Sequence, residues 1–207
     1  MTDPDFSIIT TVYRKESMLP RLIDAVMMQT HKSWELIILA DGPHEVSRER
    51  VHTLCRDPEL ARRISYEECL RHPDTFGNVL RAYGLTKARG KYVCWVGHDC
   101  LPYHDYLSTH WEQLNGEDAL SVVHINYWKV PEIDFLFGGR FPKVHPSVAV
   151  SSQIDLTCFA APLSTARAVG AFDQSMRYAY DADYITFDRL RGQIPLLVSQ
   201  RTCAAHF

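Results

Sequence analysis

The first 41 residues alternate between a buried strand, an amphipathic helix and a second buried strand. Residues 6–12 and 36–40 are continuous apolar runs rich in β-branched side chains, which is typical of strands covered on both faces. Between them, apolar residues recur at helical spacing from Leu19 to Met27, after a serine, Ser17, that can cap the helix. A strand–helix–strand unit of this kind predicts parallel strands joined by a right-handed crossover.

The same alternation continues as far as Pro102. The pattern predicts a helix over 45–56, a strand over 63–67, a helix that ends near Gly90 and a strand over 91–96. Strands that alternate with helices along a chain favour an α/β fold. We therefore expect an open, twisted, mostly parallel sheet that is flanked by helices.

The second half of the chain follows a different pattern. We predict helices over 103–114 and 182–191 and a short one after Ser164, with strands over 119–127, 154–161 and 195–198. Residues 128–150 contain three prolines and two adjacent glycines, which predicts a long surface loop with a functional role. The chain contains no repeat or linker, so we expect 1–207 to be one domain.

Composition and charge exclude several classes of protein. The chain has 207 residues and a formal net charge of −3, whereas binding of duplex nucleic acid usually needs a basic face. No apolar run approaches the roughly 20 residues that span a bilayer. The acidic residues before the first apolar run are unlike a secretory signal. The six cysteines include no C-x-x-C pair, so we expect a cytoplasmic protein in a reducing compartment.

Polar side chains stand where three of the predicted strands end. Thr11 and Tyr13 end the first strand, Asp41 ends the second, and Asp99 follows the fourth. Ligands of open parallel sheets bind beyond the carboxyl ends of the strands, so these side chains predict a site for a nucleotide and a metal ion. Three of them also have a structural interpretation. Tyr13 could cover the core, Asp41 could be an Asx-turn residue before Gly42, and Asp99 could be a helix N-cap.

Five segments carry a resemblance to a known family. They are the run from Ser7 to Tyr13, QTHKSWELIILADG, GKYVCWVGHD, GAFD at 170–173 and DAD at 181–183. In this order they resemble family 2 glycosyltransferases with the GT-A fold, over nearly the whole chain. The resemblance implies a single GT-A domain that moves a hexose from a UDP-sugar to the hydroxyl of a glycan or another acceptor, with inversion. It places the nucleotide in the half formed by about 1–102 and the acceptor in the half formed by about 103–207.

The resemblance assigns the nucleotide to residues near the first two strand ends. It implies that Tyr13 packs on the uracil ring, that Thr11 lines the same pocket and that Asp41 accepts the N3–H of the base. Two arginines are candidate contacts to the diphosphate, because guanidinium matches phosphate in a bidentate way, although a solvated helix face explains them equally well. The complete nucleotide-binding prediction is Thr11, Tyr13, Asp41, Arg71, Arg81 and His98.

The resemblance also implies a divalent cation, Mn²⁺ or Mg²⁺, on the donor diphosphate. Asp99 is the expected carboxylate ligand, since one or two protein carboxylates suffice when phosphate and water complete the shell. His206 is the second expected ligand. The family's Asp-any-Asp pattern reads Gly97-His98-Asp99 here. The missing first acid motivates an alternative, a catalytically weak nucleotide-sugar binding module of the same fold.

Three later carboxylates are assigned to the transfer reaction. Asp181 is the candidate general base, because the family's late acidic element points into the acceptor site and an inverting transfer needs a base within reach of the attacking hydroxyl. Asp183 is the other candidate on the acceptor side, and the alternative interpretation is that one of the two only caps the helix that follows. Asp155 is expected to border the donor sugar.

Two other enzyme classes fit less well. A nucleotidyltransferase favours a glycine-rich basic loop after the first strand, and the corresponding VYRKES stretch contains no glycine. A dinucleotide oxidoreductase needs G-x-G-x-x-G after a strand, and the sequence has none. The sequence leaves open which sugar is transferred, which acceptor receives it and what the oligomeric state is.

Overall fold

The computed structural model describes residues 3–13, 16–43, 45–127 and 154–206. In chain order, the strands and helices of these residues are β1 (Phe6–Val12), α1 (Leu19–Met27), β2 (Trp34–Asp41), α2 (Glu45–Leu54), α3 (Pro58–Arg63), β3 (Ile64–Cys69), α4 (Asn78–Lys87), β4 (Tyr92–Trp95), β5 (Cys100–Pro102), α5 (Tyr106–Leu114), β6 (Leu120–Tyr127), β7 (Phe159–Pro162), α6 (Leu163–Ala168), α7 (Ala182–Arg191) and β8 (Leu196–His206).

The strands of the described residues join one sheet in the order β3-β2-β1-β4-β7-β6-β8-β5. β1 pairs in parallel with β2 and β4, and β2 pairs in parallel with β3. β7 is antiparallel to both of its neighbours, while β8 is parallel to β6 and antiparallel to β5. The expectation of a single α/β domain with an open, twisted, mostly parallel sheet is confirmed.

The central strands are buried along nearly their whole length, as their apolar runs predict. α4 packs on β1 and β2, and α5 packs on β6 and β8. One close approach depends on a glycine inside α4: a Cβ at Gly84 would lie 2.6 Å from a methyl carbon of Ile9 in β1. The missing side chain therefore lets this helix lie directly on the first strand.

The Trp-Glu pair of the QTHKSWE segment has a structural role at the amino end of β2, far along the strand from the carboxyl ends. Glu35 is buried and accepts hydrogen bonds from the Ser7 hydroxyl at 2.7 Å and from Nε and Nη2 of Arg89 at 2.9 and 2.7 Å. These bonds tie β1, β2 and the turn before β4 together. Because the Arg89 side chain stays 57% exposed, solvent screens this ion pair, and it contributes less than a fully buried pair would.

The structure corrects several local predictions. Residues 154–161 form a 3-10 turn over Leu156–Cys158 before the short β7, rather than one strand. The last strand was predicted over 195–198, but it extends to His206 because the following residues pair with β6 and β5. Ser17 does not cap α1, since it lies inside the preceding 3-10 turn.

Two elements, α3 and β5, were not predicted from the sequence pattern. The predicted surface loop over 128–150 lies outside the described residues. Within the part of the chain that the structure describes, no helix has the length and apolar character needed to cross a membrane.

Candidate active site

A cleft of about 550 Å³ opens at the carboxyl ends of β1, β2 and β4. Most of the side chains predicted for a functional site line it, namely Thr11, Tyr13, Asp41, Arg81, His98, Asp99, Asp155, Asp183 and His206. Arg71 contacts Tyr13 without being part of the lining, and Asp181 is exposed before α7. The fold therefore brings together nearly all of the predicted residues from both halves of the chain.

An aromatic ring and a carboxylate flank one end of the cleft. Tyr13 follows β1, and its hydroxyl accepts a hydrogen bond of 2.8 Å from Nη2 of Arg71, whose guanidinium carbon lies 5.2 Å from the ring centre. Asp41 ends β2 and is buried, and its Oδ1 accepts a hydrogen bond of 2.7 Å from the backbone N–H of His72. This arrangement suits a planar base that carries an N–H donor.

The loop between β3 and α4, residues 70–77, forms one wall of the cleft. The φ angles of Asp74 and Phe76 are 61° and 50°, a left-handed conformation that costs an L-residue about 1–2 kcal/mol. Gly77 has a φ angle of 80°, and a Cβ there would lie 2.8 Å from Oγ1 of Thr11. Backbone strain of this kind clusters at functional sites, and it supports a role for this loop.

Two carboxylates and an imidazole meet on the side of the cleft next to β8. Nδ1 of His206 lies 3.0 Å from Oδ2 of Asp155, and its Nε2 lies 3.8 Å from Oδ2 of Asp99. The position of His206 follows from strand pairing, because His206 is the partner of Cys100 where β8 lies antiparallel to β5. The last residue of β8 is thereby placed beside the acid that follows β4.

Side chains of Asp99, Cys100 and His206 each offer a ligand atom, and these atoms lie within 4.8 Å of one another. Burial, followed by the charges of Asp155 and Asp99, raises the pKa of the Cys100 thiol well above its usual range. A protonated thiol is a poor metal ligand. The carboxylate of Asp99 suits Mn²⁺ or Mg²⁺, whereas the imidazole of His206 favours a transition metal, so the pair predicted from the sequence fits Mn²⁺ better than Mg²⁺.

Asp155 orients the imidazole of His206. Burial alone would raise the pKa of Asp155, but hydrogen bonds from His206 and from the backbone of Thr157 outweigh it and hold that pKa below its usual value. Oδ1 accepts the Thr157 N–H at 2.7 Å, while Oδ2 faces Nδ1 of His206. An ionised carboxylate on one ring nitrogen fixes how the other nitrogen is presented to a metal.

Asp183 is the carboxylate with the most perturbed acidity in the cleft. Burial raises the pKa of Asp183 to about 6, against the opposing charge of Arg81. Nη1 of Arg81 lies 3.6 Å from Oδ1 of Asp183, and the backbone N–H of Leu156 donates a hydrogen bond of 3.3 Å to Oδ2. A carboxylate that faces a cleft with a pKa near physiological pH has the properties of a general base.

Asp181 is placed differently. It is the exposed residue before α7, it makes no side-chain capping bond, and it is not among the residues that line the cleft. Asp183 lies in the first turn of the same helix and does line the cleft. Of these two carboxylates, only Asp183 faces the cleft, whereas the family resemblance favours Asp181 as the general base.

Several residues of the site, three of them notable, were not predicted from the sequence. Cys100 and Phe76 line the cleft, and Asn78 is buried beside it. The Gly77-Asn78 step before α4 is a turn signal that points to a close backbone approach. Nothing in the sequence indicates the partners of Asn78, which are the carbonyls of Met176 and Ala179, 98 and 101 positions further along the chain.

Solved structures share this fold at low sequence identity. S. aureus TarS 1–349, in complex with UDP, aligns with a TM-score of 0.78 at 12% identity over 97% of this chain and 60% of the TarS chain. The mannosyltransferase PcManGT from Pyrobaculum calidifontis, in complex with GDP-Man and Mn²⁺, aligns with a TM-score of 0.68 at 15% identity over 99% of this chain and 57% of its own. These likenesses show that the chain has the GT-A fold.

The chain belongs to glycosyl transferase family 2, whose sequence model matches residues 7–143. An uncharacterized glycosyltransferase of Rickettsia typhi is 26% identical over 200 residues, which cover 87% of this chain and 57% of the relative. Glycosyltransferase GlyA of Streptococcus pneumoniae serotype 4 is 26% identical over 161 residues, which cover 74% of this chain and 22% of GlyA. The chain thus spans about half of the first relative and less than a quarter of the second.

Proposed function

We propose that this chain transfers a hexose from a UDP-sugar to an acceptor hydroxyl with inversion at the anomeric carbon. The observation that carries the proposal is the placement of Asp183, a carboxylate with a raised pKa, in the same cleft as the Tyr13–Asp41 end and the Asp99–His206 pair. One TarS structure contains UDP and another contains UDP-GlcNAc, which supports a uridine nucleotide donor over the GDP-Man of PcManGT.

Uridine recognition falls to the residues at the ends of β1 and β2. The ring of Tyr13 stacks on the base, a contact worth about 1–3 kcal/mol for nucleobases on aromatic side chains. Asp41 accepts the N3–H of uracil, and its bond to the His72 backbone fixes the orientation of the carboxylate. Thr11, His98 and Arg81 line the same cleft, and Arg71, which contacts Tyr13, adds a second positive charge beside it.

Asp99 and His206 are the residues that would hold Mn²⁺ or Mg²⁺, and Asp155 orients His206 for that role. A divalent cation bound there would neutralise the charge that develops on the departing diphosphate. The remaining ligands would come from phosphate oxygens and water, because only two suitable protein ligands converge among the described residues.

Asp183 takes the proton of the acceptor hydroxyl. As the acceptor oxygen forms its bond to the anomeric carbon, the bond from that carbon to the UDP oxygen breaks, and the proton passes to Oδ of Asp183. Attack from the face opposite UDP inverts the configuration. Arg81, at 3.6 Å, keeps the carboxylate ionised in part against the effect of burial.

A second function, a nucleotide-sugar binding module without transfer, is favoured by one observation at Gly97. A Cβ at this position would lie 3.1 Å from both Oδ1 of Asp99 and Sγ of Cys100. There is therefore little space for an aspartate at position 97, where the family pattern has its first acid, and Asp99 lacks this second carboxylate for binding a cation. Binding of UDP without any consumption of UDP-sugar would select this alternative.

The test is a screen of UDP-sugars for Mn²⁺-dependent release of UDP, first with water and then with sugar acceptors. We expect UDP release from at least one donor, and the anomer of the product, measured by NMR, shows whether configuration inverts. Asp183→Asn should lower the rate at least about a hundredfold, since general-base catalysis contributes about 10²–10⁴. Asp181→Asn is the matched control and should retain the parent rate. If Asp181→Asn lowers the rate and Asp183→Asn does not, Asp181 is the general base. Absence of turnover with every donor would reject the proposal that the chain is a UDP-sugar transferase.

A further inference from the structure

An exposed pair of aromatic side chains lies at the rim of the cleft. Phe76 and Tyr180 are 54% and 86% exposed, and their ring centres lie 5.6 Å apart at an interplanar angle of 84°. Single exposed apolar side chains are common, but two exposed rings in contact beside a cleft form a contiguous patch of the kind that marks an interaction site. In the proposed function the nucleobase stacks on Tyr13, so Phe76 and Tyr180 are not needed to bind the base.

The pair is built from two segments that the fold holds together. Nδ2 of Asn78 donates hydrogen bonds of 2.9 Å to the carbonyls of Met176 and Ala179, which clamps the 174–180 turn against the start of α4. Phe76 keeps a φ angle of 50° directly before Gly77, although a bulky side chain is strained there. A bulky aromatic residue in an unfavourable conformation, with its ring in solvent, indicates that the ring is needed at that point.

The pair stands beside the candidate base. Phe76 and Asp183 line the same cleft, and Tyr180 precedes Asp183 by three residues at the start of α7. Arg81 links the two features, because it donates to Oδ1 of Asn78 at 2.8 Å and approaches Asp183 at 3.6 Å. The Phe76 ring and the candidate base therefore border the same cleft, and Tyr180 extends the aromatic surface at its rim, so an acceptor bound in the cleft can reach both features.

We propose that Phe76 and Tyr180 form an acceptor subsite that binds a pyranose ring by stacking. This inference rests on the proposed transfer reaction and names the chemistry of its acceptor, a carbohydrate rather than a protein side chain or a lipid alcohol. The C–H groups on one face of a pyranose carry partial positive charge, and the face of an aromatic ring is negative. Two rings at right angles offer the sugar one face and one edge.

The test uses the full chain with UDP and Mn²⁺ and a set of methyl pyranosides of the gluco, galacto and N-acetylglucosamine types. Saturation-transfer NMR reports binding of each pyranoside, and calorimetry reports binding of UDP. We expect at least one pyranoside to bind the parent chain, and Phe76→Gly and Tyr180→Ala to weaken that binding about tenfold, or 1.4 kcal/mol. Affinity for UDP should stay within about twofold of the parent value, which is under 0.5 kcal/mol.

Tyr178→Ala is the matched control, because Tyr178 is 65% exposed on the same turn but packs against Arg177. It should retain pyranoside binding. Equal loss in this control, loss of UDP affinity in Phe76→Gly, or absence of pyranoside binding to the parent chain would each overturn the subsite. Pyranoside binding that depends on the pair, combined with no turnover of any UDP-sugar, would keep the subsite and reject the transfer reaction.

Discussion

The pKa of Asp183 reflects a balance between burial and one guanidinium group. Burial raises its pKa to about 6, and Arg81 limits that rise. A base with this pKa is largely ionised at neutral pH and still strong enough to accept a proton from a hydroxyl as its bond to carbon forms. The kcat/KM of the transfer should accordingly rise with pH through about 6 and level off above it.

The same carboxylate should lower stability at neutral pH. A group whose pKa is raised on folding stabilises the fold when protonated, and this contribution is lost as pH rises from the unfolded value of 3.8 through about 6. Asp183→Asn should therefore raise the free energy of unfolding at about pH 7 by roughly 1–2 kcal/mol, less than the full shift because the side chain keeps 24% exposure.

Urea unfolding of parent and variant at about pH 7 and pH 4 measures this difference, which should nearly vanish at the lower pH. Asp181→Asn, which changes an exposed residue, should leave both curves unchanged. A variant that is less stable than the parent at neutral pH would contradict the burial argument, and would assign Asp183 a structural role as the partner of Arg81.

At the level of elements, the sequence predicts the strands that consist of apolar runs and misses the strand segments that form only through pairing with a neighbouring strand. β1, β2 and β4 are buried, so their composition identifies them. β8 was predicted to end at 198, because SQRT in its centre is polar and only pairing with β6 and β5 keeps it extended to His206. β5 has three residues and no composition signal.

The residues of the candidate site also differ in whether the sequence could predict them. Side chains that directly follow a buried strand, such as Tyr13, Asp41 and Asp99, could be predicted from sequence because strand ends share one sheet edge. The choice between Asp181 and Asp183 could not be. Successive positions of a helix are rotated by about 100° around its axis. Asp181 and Asp183, which lie two positions apart at the start of α7, therefore face different directions.

The clamp between α4 and the 174–180 turn leads to a prediction about Asn78. Asn78→Ala removes two buried donors, and the carbonyl of Met176 keeps a second partner in the Ala179 N–H. We expect a loss of about 2 kcal/mol in the free energy of unfolding, since an unsatisfied buried polar group costs about 1–3 kcal/mol. Urea unfolding measures it.

Gln174→Ala, an exposed change on the same turn, is the control and should stay within about 0.5 kcal/mol of the parent. Asn78→Ala should also weaken pyranoside binding, because the two rings lose their common support. Equal stability of the two variants would mean that the turn is held by other contacts and that the clamp is dispensable.

Across the whole molecule, the site lies where the sheet changes direction. The chain places β2 and β3 on one side of β1 and then β4 on the other, which creates a crevice at the carboxyl ends of β1 and β4. Open α/β sheets bind their ligands at such switch points. Here β8 returns from the antiparallel section and adds His206 to the crevice, so both parts of the sheet contribute to one site.

This construction leads to a prediction of coupled binding. In the proposed reaction, Asp99 and His206 would be two protein ligands for a cation that needs about six, so the diphosphate would supply others, and UDP and the cation should each stabilise the bound form of the other. Coupling of about 1–3 kcal/mol is typical of such linked sites. For a chain of this length, UDP and Mn²⁺ together should raise Tm by about 3–8 °C more than the sum of their separate effects.

Thermal unfolding with UDP alone, Mn²⁺ alone and both together measures this excess. Asp99→Asn should remove the excess and retain most of the effect of UDP alone, because this change leaves the proposed contacts of Tyr13 and Asp41 with the base intact. Uridine, which has no phosphate, serves as the ligand control, and its effect on Tm should be independent of Mn²⁺. Strictly additive shifts for UDP and Mn²⁺ in the parent chain would mean that the cation does not bridge protein and diphosphate, and Asp99 and His206 would then be a carboxylate–imidazole pair without a metal.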